Sequence, residues 1–166
     1  LCQRLAKRYS NLLKITKNRK IFFQEKINMK YIDIHCHLDF SDYDEDRGEV
    51  LARMKEGEVG AITIGTDLES SKKAVEIAEA NESIWATIGV HPHDLQTGFD
   101  ELEFGKLVAN KKVVAIGECG LDYFRLESEG EKAVQKELFE SQINFAVKHD
   151  KPLMLHCREH LKNTFG

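Results

Sequence analysis

The sequence predicts an α/β protein: the N-terminal part, about five strands, of a TIM-type (β/α)8 barrel. Three observations predict it. From Met29 onward, short runs rich in Val, Ile and aromatic residues alternate with longer amphipathic stretches. Those runs are apolar on both faces, as in a parallel sheet covered by helices. The unusual polar residues fall at the C-terminal ends of the runs, the face on which α/β barrels carry their sites. No GxGxxG follows any run, so a dinucleotide-binding fold has little support.

The elements follow in order. A first strand is expected over about 31–37, where Tyr31, Ile32 and Ile34 have the character of a buried strand. A polar turn at 41–47 leads to a helix near 48–56. VGAITIG (59–65) reads as the second strand. Asp67 suits the N-cap of the next helix, whose apolar face is Leu68, Val75, Ile77 and Ala78. IWATIGV (84–90) is the third strand, followed by a long loop and a helix near 99–109. VVAIGE (113–118) is the fourth. A long helix over about 131–149 presents Val134, Leu138, Ile143, Phe145, Ala146 and Val147, and PLMLH (152–156) is the fifth strand. Pro92 and Gly120 suit turns, and His149 suits a helix C-terminus, where a cation complements the dipole. A full barrel needs roughly 250 residues and eight units. Four units and a fifth strand are present, so the chain is expected to be a truncated N-terminal portion of a longer protein.

Composition narrows the class. The 166 residues are 42% hydrophobic and 31% charged, an ordinary globular balance. The net charge of −4 hides an asymmetry: residues 1–28 hold eight Lys/Arg and one acid (+7), and the remainder 16 basic and 27 acidic groups (−11). The first 28 residues read as a basic leader outside the domain, with translation starting at Met29; a transit peptide or a nucleic-acid-binding arm is the alternative. The domain is then 29–166. The four cysteines form no CxxC pair, and three lie in strand-like runs, which suggests reduced, buried thiols and a cytoplasmic setting. No apolar run approaches the roughly 18 residues of a membrane span, and no protein partner is evident.

The polar residues at the strand ends carry the chemistry. His35 and His37 stand two apart, so in a strand they share a face and make half of a metal site. Cys36 points the other way and reads as a small core residue. Asp39 follows the first strand, Asp67 the second, and His91 and His93 the third. Glu118 and Asp122 follow the fourth strand, His156 and Arg158 the fifth. Asp67 reads as a helix cap and not as a ligand. A carboxylate such as Glu118 at a buried strand end is costly without a partner, and a metal is a natural one. Cys119 and Cys157 follow such residues as Cys36 follows His35, so alternation turns all three thiols toward the helices.

MKYIDIHCHLDF (29–40), GVHPH (89–93), GECGLDY (117–123) and KPLMLHCR (151–158) resemble the TatD-type metal-dependent deoxyribonucleases, a (β/α)8 family of the amidohydrolase-like group. The resemblance covers Met29 to about Arg158. It implies that His35 and His37 bind a first metal, and that Glu118, as the catalytic carboxylate, bridges to a second, which His156 also ligates. His91 and His93 would line the substrate cleft, and Arg158 would hold a phosphate in its guanidinium fork. The family's further His and Asp ligands would lie beyond Gly166, and His160 departs from the small residue common there.

The implied cofactors are two divalent ions, Mg²⁺, Mn²⁺ or Zn²⁺, among which the ligand types do not choose. The implied reaction is two-metal activation of water for phosphodiester hydrolysis, as a 3′→5′ exonuclease acting on DNA strand ends or single strands. The acidic body offers no broad duplex-binding surface. Two alternatives stand beside this reading: an amidohydrolase acting on C–N or ester bonds, and an inactive fragment whose first and fifth strands are open edges.

Overall fold

The computed structural model describes residues 29–124, 126 and 128–158; the basic leader 1–28 and His160 lie outside them. Five parallel strands pair in chain order: β1 (Tyr31–Cys36), β2 (Val59–Ile64), β3 (Ile84–Ile88), β4 (Val113–Asp122) and β5 (Leu153–Arg158). The helices α1 (Arg47–Glu56), α2 (Leu68–Ala80), α3 (Glu101–Val108) and α4 (Glu129–Lys148) fill the crossovers, and a 3-10 turn at Ser41–Tyr43 precedes α1. This is a sector of a TIM-type barrel, with β1 and β5 as its edges.

Three of the four helices begin at a side-chain cap; α1 has none. The Asp67 carboxylate accepts from Ser70 N–H at 2.7 Å, and the Ser70 hydroxyl accepts from Asp67 N–H at 2.9 Å, a reciprocal box that starts α2. Ser128 and Glu131 form the same box at α4, and Asp100 caps α3 by accepting from the N–H groups of Leu102 and Glu103. The core lies between the helices and the central strands. β3 is buried along its whole length, against Ala74, Val75 and Ala78 of α2 and Phe104 of α3. Phe99 stacks on Phe104 at 4.5 Å and meets Phe145 of α4 edge-on at 5.1 Å. His149 lies against Phe145 at the α4 C-cap, the structural place expected for it.

Several expectations need correction. β1 is not buried: Tyr31 is 69% and Ile34 62% exposed, because β1 pairs only with β2 and is a sheet edge. β4 and β5 run further than expected, so Glu118, Asp122, His156 and Arg158 lie within strands and not after them. Gly120 shapes no turn. It sits inside β4 at φ 148°, and a Cβ there would run into the His156 carbonyl, so glycine lets β5 approach. Pro92 does lie in a turn, closed by Asp94 N–H to the His91 carbonyl at 2.9 Å. Cys119 is buried among Leu121, Phe139 and Ile143 and Cys36 is half-buried, but Cys157, on the edge strand, is exposed.

The face of α4 also differs. Val134 and Val147 are exposed, and Gln135 and Gln142, two turns apart, are completely buried. Gln142 accepts from Val90 N–H at 2.8 Å and donates to the Val90 carbonyl at 2.9 Å. Gln135 accepts from Asp122 N–H at 2.9 Å and donates to the carbonyls of Asp122 and Pro92, both at 2.8 Å. Hydrophobic periodicity misses them because their amides serve backbone groups that hold no ladder partner.

Two outcomes test this packing. Gln142→Leu leaves two Val90 backbone groups unpaired and should destabilise by about 2–4 kcal/mol in urea denaturation; a loss under about 0.5 kcal/mol would contradict the clamp. Burial pushes the thiols of Cys36 and Cys119 up to about 12. Iodoacetamide at neutral pH should therefore label Cys157 well ahead of both, read by peptide mass spectrometry.

Candidate metal centre

The centre gathers at the C-terminal ends of the strands. His35 is the penultimate residue of β1, and His37 lies one residue past its end. The His37 ring nitrogen Nδ1 is 3.1 Å from the Ile64 carbonyl, which can only accept, so Nδ1 carries the proton and Nε2 keeps its lone pair. His35 Nε2 lies 3.2 Å from Glu118 Oε2. Asp39, also singled out by the sequence, is turned into the protein instead: it accepts from the Thr63 hydroxyl at 3.2 Å, and burial raises its carboxyl.

β4 separates two chemistries by alternation. Cys119 and Leu121 face Phe139 and Ile143 of α4. Glu118 and Asp122 face the centre, where they are 7% and 1% exposed. β5 brings His156 alongside, paired with Gly120. The turn after β3 adds His91, whose Nε2 is 3.2 Å from His156 Nδ1. Burial, and next the neighbouring His156, pushes His91 down to about 4, which keeps its imidazole neutral at physiological pH.

Two groups of ligating atoms result, each with every atom within 4.8 Å of the others: His35, His37 and Glu118, and His91, Glu118 and His156. The chemistry of the second group fits a cation. His156 Nε2 lies 2.9 Å from Asp122 Oδ2. Burial would raise the Asp122 carboxyl, yet hydrogen bonds from Phe124 N–H, His156 and His93 outweigh it and hold it below the ordinary range. Asp122 is therefore an acceptor, and His156 Nε2 carries the proton. His156 Nδ1 lies 2.8 Å from Glu118 Oε1 and 3.2 Å from His91 Nε2, a contact that a divalent cation or a second proton on the ring would satisfy.

The predicted residues are thus brought together, with two adjustments. His91, expected in the substrate cleft, both borders a cleft at the centre and joins Glu118 and His156 in the second group. His93 stands beside the centre, its Nε2 2.8 Å from Asp122 Oδ2. Arg158 is exposed, with its guanidinium 3.7 Å over the Phe124 ring. A cleft of about 270 Å³ lies between His37, Phe40, Thr66, His91, Asp94 and Glu118. Sequence reading placed Asp122 at a strand end and assigned it no role. The signal was the spacing: residues 118, 120 and 122 of one strand share a face.

Comparisons with known proteins show the family. A family model described as TatD related DNase matches residues 32–165. The chain belongs to that family. A 3′-5′ ssDNA/RNA exonuclease TatD from Cronobacter sakazakii is 41% identical over 130 residues, covering 76% of this chain and 49% of the relative. A metal-dependent hydrolase from Buchnera aphidicola is 35% identical over 143 residues, covering 83% of this chain and 53% of the relative. Among solved structures, a TatD homologue from Escherichia coli K12 superposes with a TM-score of 0.68 at 30% identity, covering 77% of this chain and 51% of that one. A TatD family hydrolase from Entamoeba histolytica gives 0.70 at 30% identity, covering 82% and 52%. This TatD-family chain spans about half the length of the curated relatives it matches.

The shared carboxylate yields a prediction. Isothermal titration with Mn²⁺ should show binding that Glu118→Gln abolishes and that His35→Ala weakens only in part; equal losses would contradict two groups joined at Glu118. A second concerns pH. Unfolded His91 takes its proton near the ordinary 6.5 and folded His91 near 4. The metal-free protein should therefore lose stability as pH falls through that window and level off below it. The difference from His91→Gln in thermal midpoint isolates the effect; a flat difference would refute it.

Proposed function

We propose that the protein is a metal-dependent hydrolase that cleaves phosphodiester bonds of DNA from strand ends, in the manner of a 3′→5′ exonuclease, with two divalent ions. The observation that carries this reading is Glu118, one buried carboxylate shared by two sets of imidazoles. Two cations joined by one carboxylate suit a phosphodiester, since when bound they activate water and stabilise the attacking and leaving oxygens. Mg²⁺, Mn²⁺ and Zn²⁺ are all compatible with the mixed imidazole and carboxylate donors.

The side chains divide the work. His35, His37 and Glu118 hold one ion; His91, His156 and Glu118 hold the other. His91 borders the cleft, and His93, partly exposed, stands beside it on Asp122. Arg158, stacked flat on Phe124, presents its fork to a substrate phosphate. The cleft of about 270 Å³ and the −11 charge of residues 29–166 favour a few nucleotides over a broad duplex contact. Single-stranded DNA or RNA is the substrate class that the TatD exonucleases' own names support. Residues 29–166 are an incomplete TatD-like hydrolase barrel, and 1–28 a basic leader outside it. The thiols of Cys36, Cys119 and Cys157 suit the cytoplasm.

A single-stranded oligonucleotide labelled at its 5′ end tests the proposal. With Mn²⁺ the protein should shorten it from the 3′ end, and EDTA or Glu118→Ala should reduce the rate at least about 100-fold. DNA hydrolysis unchanged by Glu118→Ala would sink the assignment. Turnover of amide or lactone substrates in place of bis-p-nitrophenyl phosphate would move it to C–N or ester chemistry.

A further inference from the structure

We propose that Asp122 is a positioning residue: through one buried oxygen it ties the metal-side imidazole of His156 to the imidazole of His93, in the turn whose His91 and Asp94 border the cleft, and holds both as their Nε2–H tautomers. This rests on reading His156 as a metal ligand and goes beyond it, because the TatD-type resemblance assigns Asp122 no role.

Asp122 Oδ2 receives His93 Nε2 at 2.8 Å and His156 Nε2 at 2.9 Å, and Oδ1 receives Phe124 N–H at 3.0 Å. With its side chain 1% exposed, the carboxylate spends both sites of Oδ2 on the two rings and one of Oδ1 on the backbone, so it serves orientation. The residue is itself held. Gln135 grips its backbone N–H and carbonyl, and the same amide reaches the Pro92 carbonyl between His91 and His93. His156 therefore stands between the two carboxylates of β4, with Nδ1 toward Glu118 at 2.8 Å and Nε2 toward Asp122. A ring so bracketed cannot rotate, and its ligating nitrogen points the right way before any ion arrives. Because the oxygen is shared, a displacement of the His91–His93 turn pulls on His156. Occupancy of the cleft and strength of metal binding are then coupled through one atom.

The test begins with the metal-free wild-type protein at pH 8, ¹⁵N-labelled at histidine. Long-range ¹H–¹⁵N spectra should show His93 and His156 as Nε2–H tautomers with hydrogen-bonded protons; an Nδ1–H tautomer at either overturns the proposal without any variant. Asp122→Leu keeps the bulk and removes the shared acceptor from both rings. The hydrogen-bonded Nε2–H signals of His93 and His156 should both be lost, and Mn²⁺ affinity at the group containing His156 should fall about 10–100-fold. Unchanged signals or unchanged Mn²⁺ affinity in a folded Asp122→Leu protein would overturn it. A wild-type protein with the expected tautomers that binds no Mn²⁺ would remove the metal reading, and with it the claim that Asp122 serves a ligand.

Discussion

A carboxylate buried within a central strand governs the molecule. Glu118 is 7% exposed, and among the described residues the partners that reach its side chain are imidazoles. Burying that charge unpaired is expensive, so everything around it has to deliver compensation. β1 brings His35 and His37, β5 brings His156, and the turn after β3 brings His91. The sheet exists in the order that makes this convergence possible, since β4 pairs directly with β3 and β5.

The scaffold achieves convergence by giving each face of β4 one task. Residues 119 and 121 pack apolar groups against α4, and residues 118 and 122 turn charge toward the centre. Gly120 between them carries no side chain, which lets the His156 backbone lie against the strand. α4 then supports the site from behind, where Gln142 and Gln135 hold the two ends of the turn that carries His91 and His93. Rigid backing of this kind keeps ligands in place when no ion is bound.

The sequence was legible where physics is local. Strand and helix periodicity located the elements, and Asp67 was legible as an N-cap, to which the structure adds the reciprocal Ser70 bond. Grouping His35, His37, Glu118 and His156 needed only the rule that strand ends of a barrel face one site. Three features were opaque because they depend on contacts between distant segments. Gln135 and Gln142 look like solvent-facing residues until the backbone groups opposite them are known. The exposure of Tyr31 and Ile34 follows from β1 being an edge, a property of the sheet and not of the strand. The placement of His91 with Glu118 and His156 depends on how the turn after β3 folds back.

Strand order that copies chain order has a kinetic side. Each strand finds its partner in the next unit along the chain, so the sheet can assemble with small loop-closure penalties. The centre obeys a different rule: Gln142 reaches Val90 across 52 residues and His156 reaches His91 across 65. The scaffold is thus a product of near neighbours and the chemistry a product of far ones. Assembly would run from sheet to site, and partial opening in reverse, with the histidine turn releasing before the strands part.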